Sequence, residues 1–210
     1  MLKAIIFDLD GTLVDSVNFW LSLYKKTTEK LNLKLDEKEI IKRFGESDVD
    51  ILISLVPKEK REEVIKYYYM LKEKEKKKLN LKKFKFVDDV FKKIKEKKIK
   101  IGIATGNSRE IAELIIKKNM LEKYIDCLVT YEDVKRGKPY PDMLLKLIKY
   151  FNVKKDEVIY VGDSLYDFES ARRAKVKICI VLTGVLNKAE AEKLKPDYIF
   201  EDIRGILKIL

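Results

Sequence analysis

Apolar residues along this chain fall into two rhythms, and the change between them divides the sequence. Lys3 to Asp8 is a short apolar run ending in acid, the pattern of a parallel strand buried on both faces. Gly11-Thr12 breaks that run. Over residues 16–31 the positions Phe19, Trp20, Leu23, Tyr24, Thr27 and Leu31 recur at helical spacing. Asp36 to Glu39 opens a second helix with acid in its first turn, ending near Phe44-Gly45. Ser47 can cap a short helix through Leu55, and Pro57 opens a long one to about Leu79.

Residues 16–82 therefore read as all-helical. Beyond them the rhythm alternates. Helices are expected at 87–98, 108–120, 141–151, 166–174 and 188–193, and strands at 100–104, 125–131, 158–161, 178–182 and 198–200. Strands and helices in alternation make a parallel sheet covered on both faces. The expected fold is α/β, a Rossmann-like core of residues 1–15 and 83–210 with an all-α helical cap, 16–82, inserted after the first strand.

Ligands of open α/β sheets bind beyond the carboxyl ends of the strands, and four such ends here are polar. The first carries Asp8-Leu-Asp10-Gly11-Thr12 and the second Thr105-Gly106-Asn107-Ser108. A loop after the third carries Lys135-Arg136-Gly137-Lys138-Pro139, and the fourth ends in Gly162-Asp163-Ser164-Leu165-Tyr166-Asp167. Asp8, Asp10, Asp163 and Asp167 would repel one another if ionised and close. A hard cation such as Mg²⁺, which takes oxygen ligands, relieves that repulsion. One carboxylate can then attack phosphorus. A second, two residues along the strand, points the same way and can serve as acid and base. Lys138, Thr105 and loop amides would hold the transferring oxygens.

Composition narrows the chemistry further. The chain of 210 residues has no histidine, which excludes Ser-His-Asp, Cys-His and His-ligated metal sites. Cys127 and Cys179, the only cysteines, sit in apolar runs and read as buried, reduced thiols. The formal net charge is +11, but lysines are interleaved with acids along helices, which is the pattern of a solvated surface more than of a nucleic-acid face. No apolar run has the length of a membrane span and the N-terminus lacks a secretory core, so a soluble, cytoplasmic protein is expected.

The four motifs, in this order, resemble those of the haloacid dehalogenase superfamily, specifically its phosphatases with a helical cap after the first strand. Gly11 to Ser16, Gly-Thr-Leu-Val-Asp-Ser, is shared with phosphoglycolate phosphatases and their relatives. The resemblance covers essentially the whole chain. It implies Asp8 as nucleophile and metal ligand, and Asp10 as general acid/base with its backbone carbonyl on Mg²⁺. It implies Thr105 and Lys138 as catalytic partners and Asp163 as a direct metal ligand. Asp167 would act directly or through water. Thr12, Gly106, Asn107 and Arg43 are expected on the substrate. Similar phosphomutases usually carry Val at the position of Thr12, which favours hydrolysis over mutase chemistry. Lys175 departs from the family, whose members often have Gly there, and a local loop change is expected.

The implied function is Mg²⁺-dependent hydrolysis of a small phosphorylated metabolite resembling 2-phosphoglycolate, by a monomer or homodimer. Pyrophosphatase, nucleotidase or β-phosphoglucomutase-like chemistry is the alternative, and a non-catalytic nucleic-acid binder a more distant one. Trp20 and Tyr24 read as cap core rather than substrate wall. The loop from Arg43 to Ser47 could face the site, Arg136 could touch substrate, and Ser108 reads as a helix cap.

Overall fold

The computed structural model describes residues 1–34, 36–76 and 79–210. The first strand, β1 (Ala4–Phe7), is buried along its whole length, as its unbroken apolar run requires. It lies at the centre of a parallel sheet with β4 (Lys100–Thr105), β5 (Cys127–Thr130), β6 (Val158–Gly162), β7 (Lys177–Val181) and β8 (Tyr198–Phe200), in the order β5-β4-β1-β6-β7-β8. Ile5 is in register with Ile101 on one side and Ile159 on the other. The chain runs outward from β1 through β4 to β5 and then crosses back to β6. The order thus reverses at β1, which opens a crevice at its carboxyl end.

Successive residues of β1 feed opposite faces. Ile5 and Phe7 join one apolar cluster, and Ala4 and Ile6 the other. Helices α5 (Val87–Glu96) and α6 (Arg109–Lys118) pack on the first face; α7 (Asp142–Phe151), α8 (Leu165–Ala174) and α9 (Lys188–Leu194) cover the second. Asp126 pins the start of β4 to that of β5. Its carboxylate accepts from the Ile101 amide at 2.8 Å and from Lys95 Nζ at 2.8 Å, contacts that hold it below the usual carboxylate range despite its partial burial.

In sequence, four helices separate β1 from the other strands of its sheet: α1 (Val17–Lys30), α2 (Glu37–Lys42), α3 (Asp48–Leu55) and α4 (Arg61–Lys76). Two are capped as the sequence suggests: the Asp36 carboxylate accepts from the Lys38 amide, and the Ser47 hydroxyl from the Asp50 amide. The helix expected from Pro57 begins as a 3₁₀ turn, Lys58–Lys60, and continues as α4; positions 77 and 78 lie outside the described residues, as does 35. The apolar side of this insert, including Trp20, Tyr24, Ile51 and Tyr68, is continuous with the cluster around Phe7 and Leu13. The chain enters and leaves the insert side by side, through the antiparallel pair β2 (Val14–Asp15) and β3 (Lys82–Lys83).

Two expectations are corrected, those for Ser108 and Cys127. Lys175 stands at the C-terminal cap of its helix. It adopts the left-handed conformation (φ 60°, ψ 46°) at the end of α8 that glycine takes without a steric penalty, and its amide bonds back to the helix. Ser108 occupies the cap position of α6 without a side-chain cap bond, and the Glu132 carboxylate receives the Arg109 amide at 2.8 Å. Cys179 is buried but Cys127 only half so, because β5 is an edge strand; both thiols are free. Among the described residues no helix is long and apolar enough to cross a membrane.

Candidate active site

The carboxyl end of β1 delivers Asp8 into a buried position where the ammonium of Lys138 meets its Oδ1 at 2.6 Å. Lys138, carried on the loop after β5, also reaches Asp167 Oδ1 at 2.7 Å, and its side chain is 1% exposed. Burial would favour the neutral amine, but the two carboxylates win and push its pKa upward, so it stays charged. Removing either acid would leave that charge buried and underpaired.

Asp167 is the most heavily bonded acid of the site. Tyr160 donates to its Oδ1 at 2.6 Å; the Ser164 hydroxyl (2.6 Å) and the amides of Ser164 (3.1 Å) and Asp163 (3.2 Å) donate to Oδ2. Ser164 and Asp167 form a reciprocal capping box at the start of α8. Burial works to raise Asp167, yet Lys138 and these donors hold it below the usual carboxylate range.

Asp163 is different. Thr12 Oγ1 donates to its Oδ1 at 2.7 Å and the Val185 amide to its Oδ2 at 3.0 Å. A Cβ at Gly184 would lie 1.8 Å from that Oδ2, so only glycine lets the loop after β7 close over the acid. Burial first, and Asp167 next, push Asp163 up to about 7. Asp8 is likewise raised by burial, against the pull of Lys138. One oxygen from each of Asp8, Asp163 and Asp167 lies within 4.8 Å of the other two. Three buried hard oxygens this close suit a small divalent cation, whose charge would relieve the two acids, Asp8 and Asp163, that burial raises.

Asp10 faces elsewhere. Trp20 Nε1, from the insert, donates to its Oδ1 at 2.6 Å, and the Asn107 amide nitrogen donates to its Oδ2. Burial raises its pKa, partly offset by Ser16 and Trp20. The side chain of Asp10 is therefore outside the carboxylate cluster, which accords with the resemblance, where Asp10 meets the metal through its backbone carbonyl.

Over these groups the insert closes a cavity of about 40 Å³, with Asp8, Asp10, Thr105, Gly106, Asn107 and Asp163 as its floor and Trp20, Tyr24, Phe44, Glu46, Asp48 and Ile51 as its roof. The contact is close: a Cβ at Gly106 would lie 2.6 Å from the Glu46 carbonyl and 2.9 Å from that of Gly45. Tyr24 donates to Asp48 at 2.6 Å, and the buried Lys72 pairs with the same carboxylate while lying 5.2 Å from the Trp20 ring centroid.

The structure thus brings Asp8, Asp10, Thr105, Gly106, Asn107, Lys138, Asp163 and Asp167 together from four strand ends. Thr12 joins them as a support of Asp163. Arg43 stands apart: its guanidinium pairs with Glu46 at 2.9 Å, and it does not line the cavity. Arg136 pairs with Asp142 at 3.0 Å, also away from the cavity. Trp20 and Tyr24, read from periodicity as core, are core and roof at once. Tyr160, Ser164, Asp48 and Lys72 were not singled out. A Ser-x-x-Asp spacing ahead of an apolar helix and a lone Tyr in a buried strand, whose hydroxyl needs a partner, were the available signals for the first two. Lys72 had none among so many lysines.

A parallel sheet whose strand ends converge acids, a lysine and a threonine beneath a helical roof is the arrangement of a hydrolase. The chain belongs to the haloacid dehalogenase-like hydrolase family, whose sequence model matches residues 5–181. It is 36% identical over 210 residues, all of this chain and 94% of the relative, to a Caldanaerobacter subterraneus protein provisionally named pyrophosphatase PpaX. It is 27% identical over 209 residues to pyrophosphatase PpaX of Bacillus mycoides, covering 97% of that protein. A crystal structure of a hydrolase from Pseudomonas syringae superposes with a TM-score of 0.86 at 27% identity, over 99% of this chain and 97% of that one.

Proposed function

We propose that the chain is a Mg²⁺-dependent phosphatase that hydrolyses a compact phosphate ester through an aspartyl-phosphate on Asp8. The observation that carries this reading is the placement of Asp8: buried, paired with Lys138 through Oδ1, and lining a cavity beneath the insert beside Asp10 and Thr105.

Asp8 and Asp163 would hold the metal with their side chains, and Asp10 through its backbone carbonyl. Asp167, already saturated with donors, would act indirectly through Lys138 and Ser164. Bound Mg²⁺ supplies charge neutralisation for the phosphoryl oxygens and for the crowded acids. The chain does the rest. Asp8 attacks phosphorus as the bond to the leaving oxygen breaks, and Asp10 gives that oxygen its proton. Asp10, now the base, takes a proton from water, which attacks the phosphorus of the acyl-phosphate and releases phosphate and free Asp8. Lys138 pulls Asp8 toward its ionised form against the burial that raises it, while Thr105 and the amides of Gly106 and Asn107 hold the equatorial oxygens. The helical insert acts as a cap that excludes water.

The tight roof favours a small phosphate monoester over a large one. Pyrophosphate is the second reading, favoured by the names of the PpaX relatives. Transfer between sugar positions is less favoured, since Thr12 stands where mutases usually have Val. Free thiols at Cys127 and Cys179 accord with a cytoplasmic setting, and converging buried carboxylates favour catalysis over charge-driven nucleic-acid binding.

The test is phosphate release from p-nitrophenyl phosphate, 2-phosphoglycolate and pyrophosphate with Mg²⁺ and with EDTA. Mg²⁺-dependent release from at least one is expected, and the highest kcat/KM assigns the leaving group. No release from any of them, with metal present, would overturn the proposal.

A further inference from the structure

A second cleft, of about 620 Å³, opens where the insert meets the loop after β5, and it shares Glu46 with the catalytic cavity. Arg43 and Arg61 reach it from the insert, and Lys135, Arg136, Arg173 and the catalytic Lys138 from the core, against two acids, Glu46 and Asp50. Four of the six basic groups have carboxylate partners: Arg43 with Glu46, Arg136 with Asp142, Arg173 with Glu169, and Lys138 with Asp8 and Asp167. Among the described residues Arg61 and Lys135 have none.

Arg61 shows a second anomaly. Its Nε is buried and lacks a hydrogen-bond partner among the described residues. A buried donor left unsatisfied on a charged group costs on the order of 1–3 kcal/mol or more, so an acceptor belongs there. Beside it the exposed ring of Tyr140 holds the guanidinium groups of Arg136 and Arg173 at 4.4 and 5.2 Å from its centroid, which keeps both at the wall of the cleft.

We propose that this cleft binds a small polyanion of the oligophosphate class, free or as the phosphate chain of a nucleotide, bridging insert and core. Its size suits a small molecule rather than a macromolecule. Guanidinium forks match phosphate oxygens better than any other common anion apart from carboxylates. The basic groups line both walls instead of converging on one point, which favours a chain of phosphates over a single one. Because such a ligand touches both bodies, its binding and the closure of the insert favour each other. None of this depends on the enzyme being a phosphatase.

The test is calorimetric titration of tripolyphosphate, and in a second arm ATP, into the full-length Asp8→Asn chain in EDTA, where neither hydrolysis nor metal binding intrudes. Lys135→Glu is the main variant, because Lys135 is exposed and its replacement leaves the fold alone; Arg61→Gln is the second. Binding is expected in the parent chain and should weaken about tenfold or more in either variant. On the otherwise native enzyme the same substitutions should leave p-nitrophenyl phosphate turnover unchanged. Equal affinity for the two probes assigns the site to the phosphate chain alone, and tighter ATP binding assigns it to a nucleotide. Absence of binding by both probes, or binding that survives both substitutions undiminished, would overturn the proposal.

Discussion

The indole Nε1 of Trp20 donates a hydrogen bond to Asp10 Oδ1 at 2.6 Å, and so a helix of the insert touches the proposed acid/base group of the core. Position of the roof and readiness of Asp10 are thereby linked. Trp20→Phe keeps the ring in the apolar cluster and removes the donor. A hydrogen bond to a charged group contributes about 1.5–3 kcal/mol, so kcat should fall about tenfold to a hundredfold with KM little changed. Because the bond lowers the pKa of Asp10, its loss should move the Asp10-governed limb of the kcat profile to higher pH. An unchanged profile would reduce Trp20 to packing.

Lys138 sits between two acids, and its loss should be felt twice. Lys138→Met keeps the volume and deletes the charge that Asp8 and Asp167 share. Catalysis should fall by about 10²–10³, as for loss of a preorganised electrostatic partner. Breaking a buried pair should also destabilise the fold by about 3–5 kcal/mol. Steady-state kinetics beside a thermal melt reads both. Wild-type turnover would remove Lys138 from the mechanism.

Gly106 tests whether the closed roof is the working state. In Gly106→Ala the new Cβ would meet the carbonyls of Glu46 and Gly45, backbone atoms that cannot swing aside. The insert should be held away from the core, with kcat/KM reduced at least about tenfold and circular dichroism unchanged. Full activity would show that closure to this distance is not needed.

Metal-free stability should depend on pH with an uncommon sign. Asp163 is raised to about 7, so between about pH 4, its ordinary range, and pH 7 the folded protein holds a proton that the unfolded chain has lost. Stability in EDTA should therefore decline as pH rises through that window. Asp126 and Asp167, which are lowered, stabilise above the ordinary carboxylate pKa, and their contribution is already complete there. Asp163→Asn should lessen the decline in thermal melts, leaving the part that Asp8 and Asp10, also raised, contribute, and Mg²⁺ should raise the melting temperature more at pH 8 than at pH 5. A metal-free melting temperature that climbs from pH 5 to 7 would contradict this.

Much of the fold was legible because its elements carry strong local signals. The strands of the sheet centre are unbroken apolar runs, and the helices carry caps and first-turn acids. The pair β2 and β3 was invisible, since two residues a strand offer no period. The acids, Lys138 and Thr105 were legible because they fall at strand ends in motif order. The roof was not. Periodicity records that one face of α1 is buried but not what it is buried against, so Trp20 and Tyr24 passed for core. Thr12 was expected on the substrate, yet the turn at Gly11 sends its hydroxyl to Asp163. Arg43 was expected in the site, yet Glu46 three residues on takes its guanidinium, a choice that depends on where the loop folds.

The covalent step on Asp8 is most directly tested by acid-quenching the enzyme during turnover of its best substrate with Mg²⁺ and mapping the phosphoryl group by peptide mass spectrometry. The mechanism requires one added phosphoryl group on the peptide containing Asp8, located to that residue and absent from Asp8→Asn. Sustained turnover with no phosphoryl group on Asp8 at any quench time, or with the group on another residue, would contradict it.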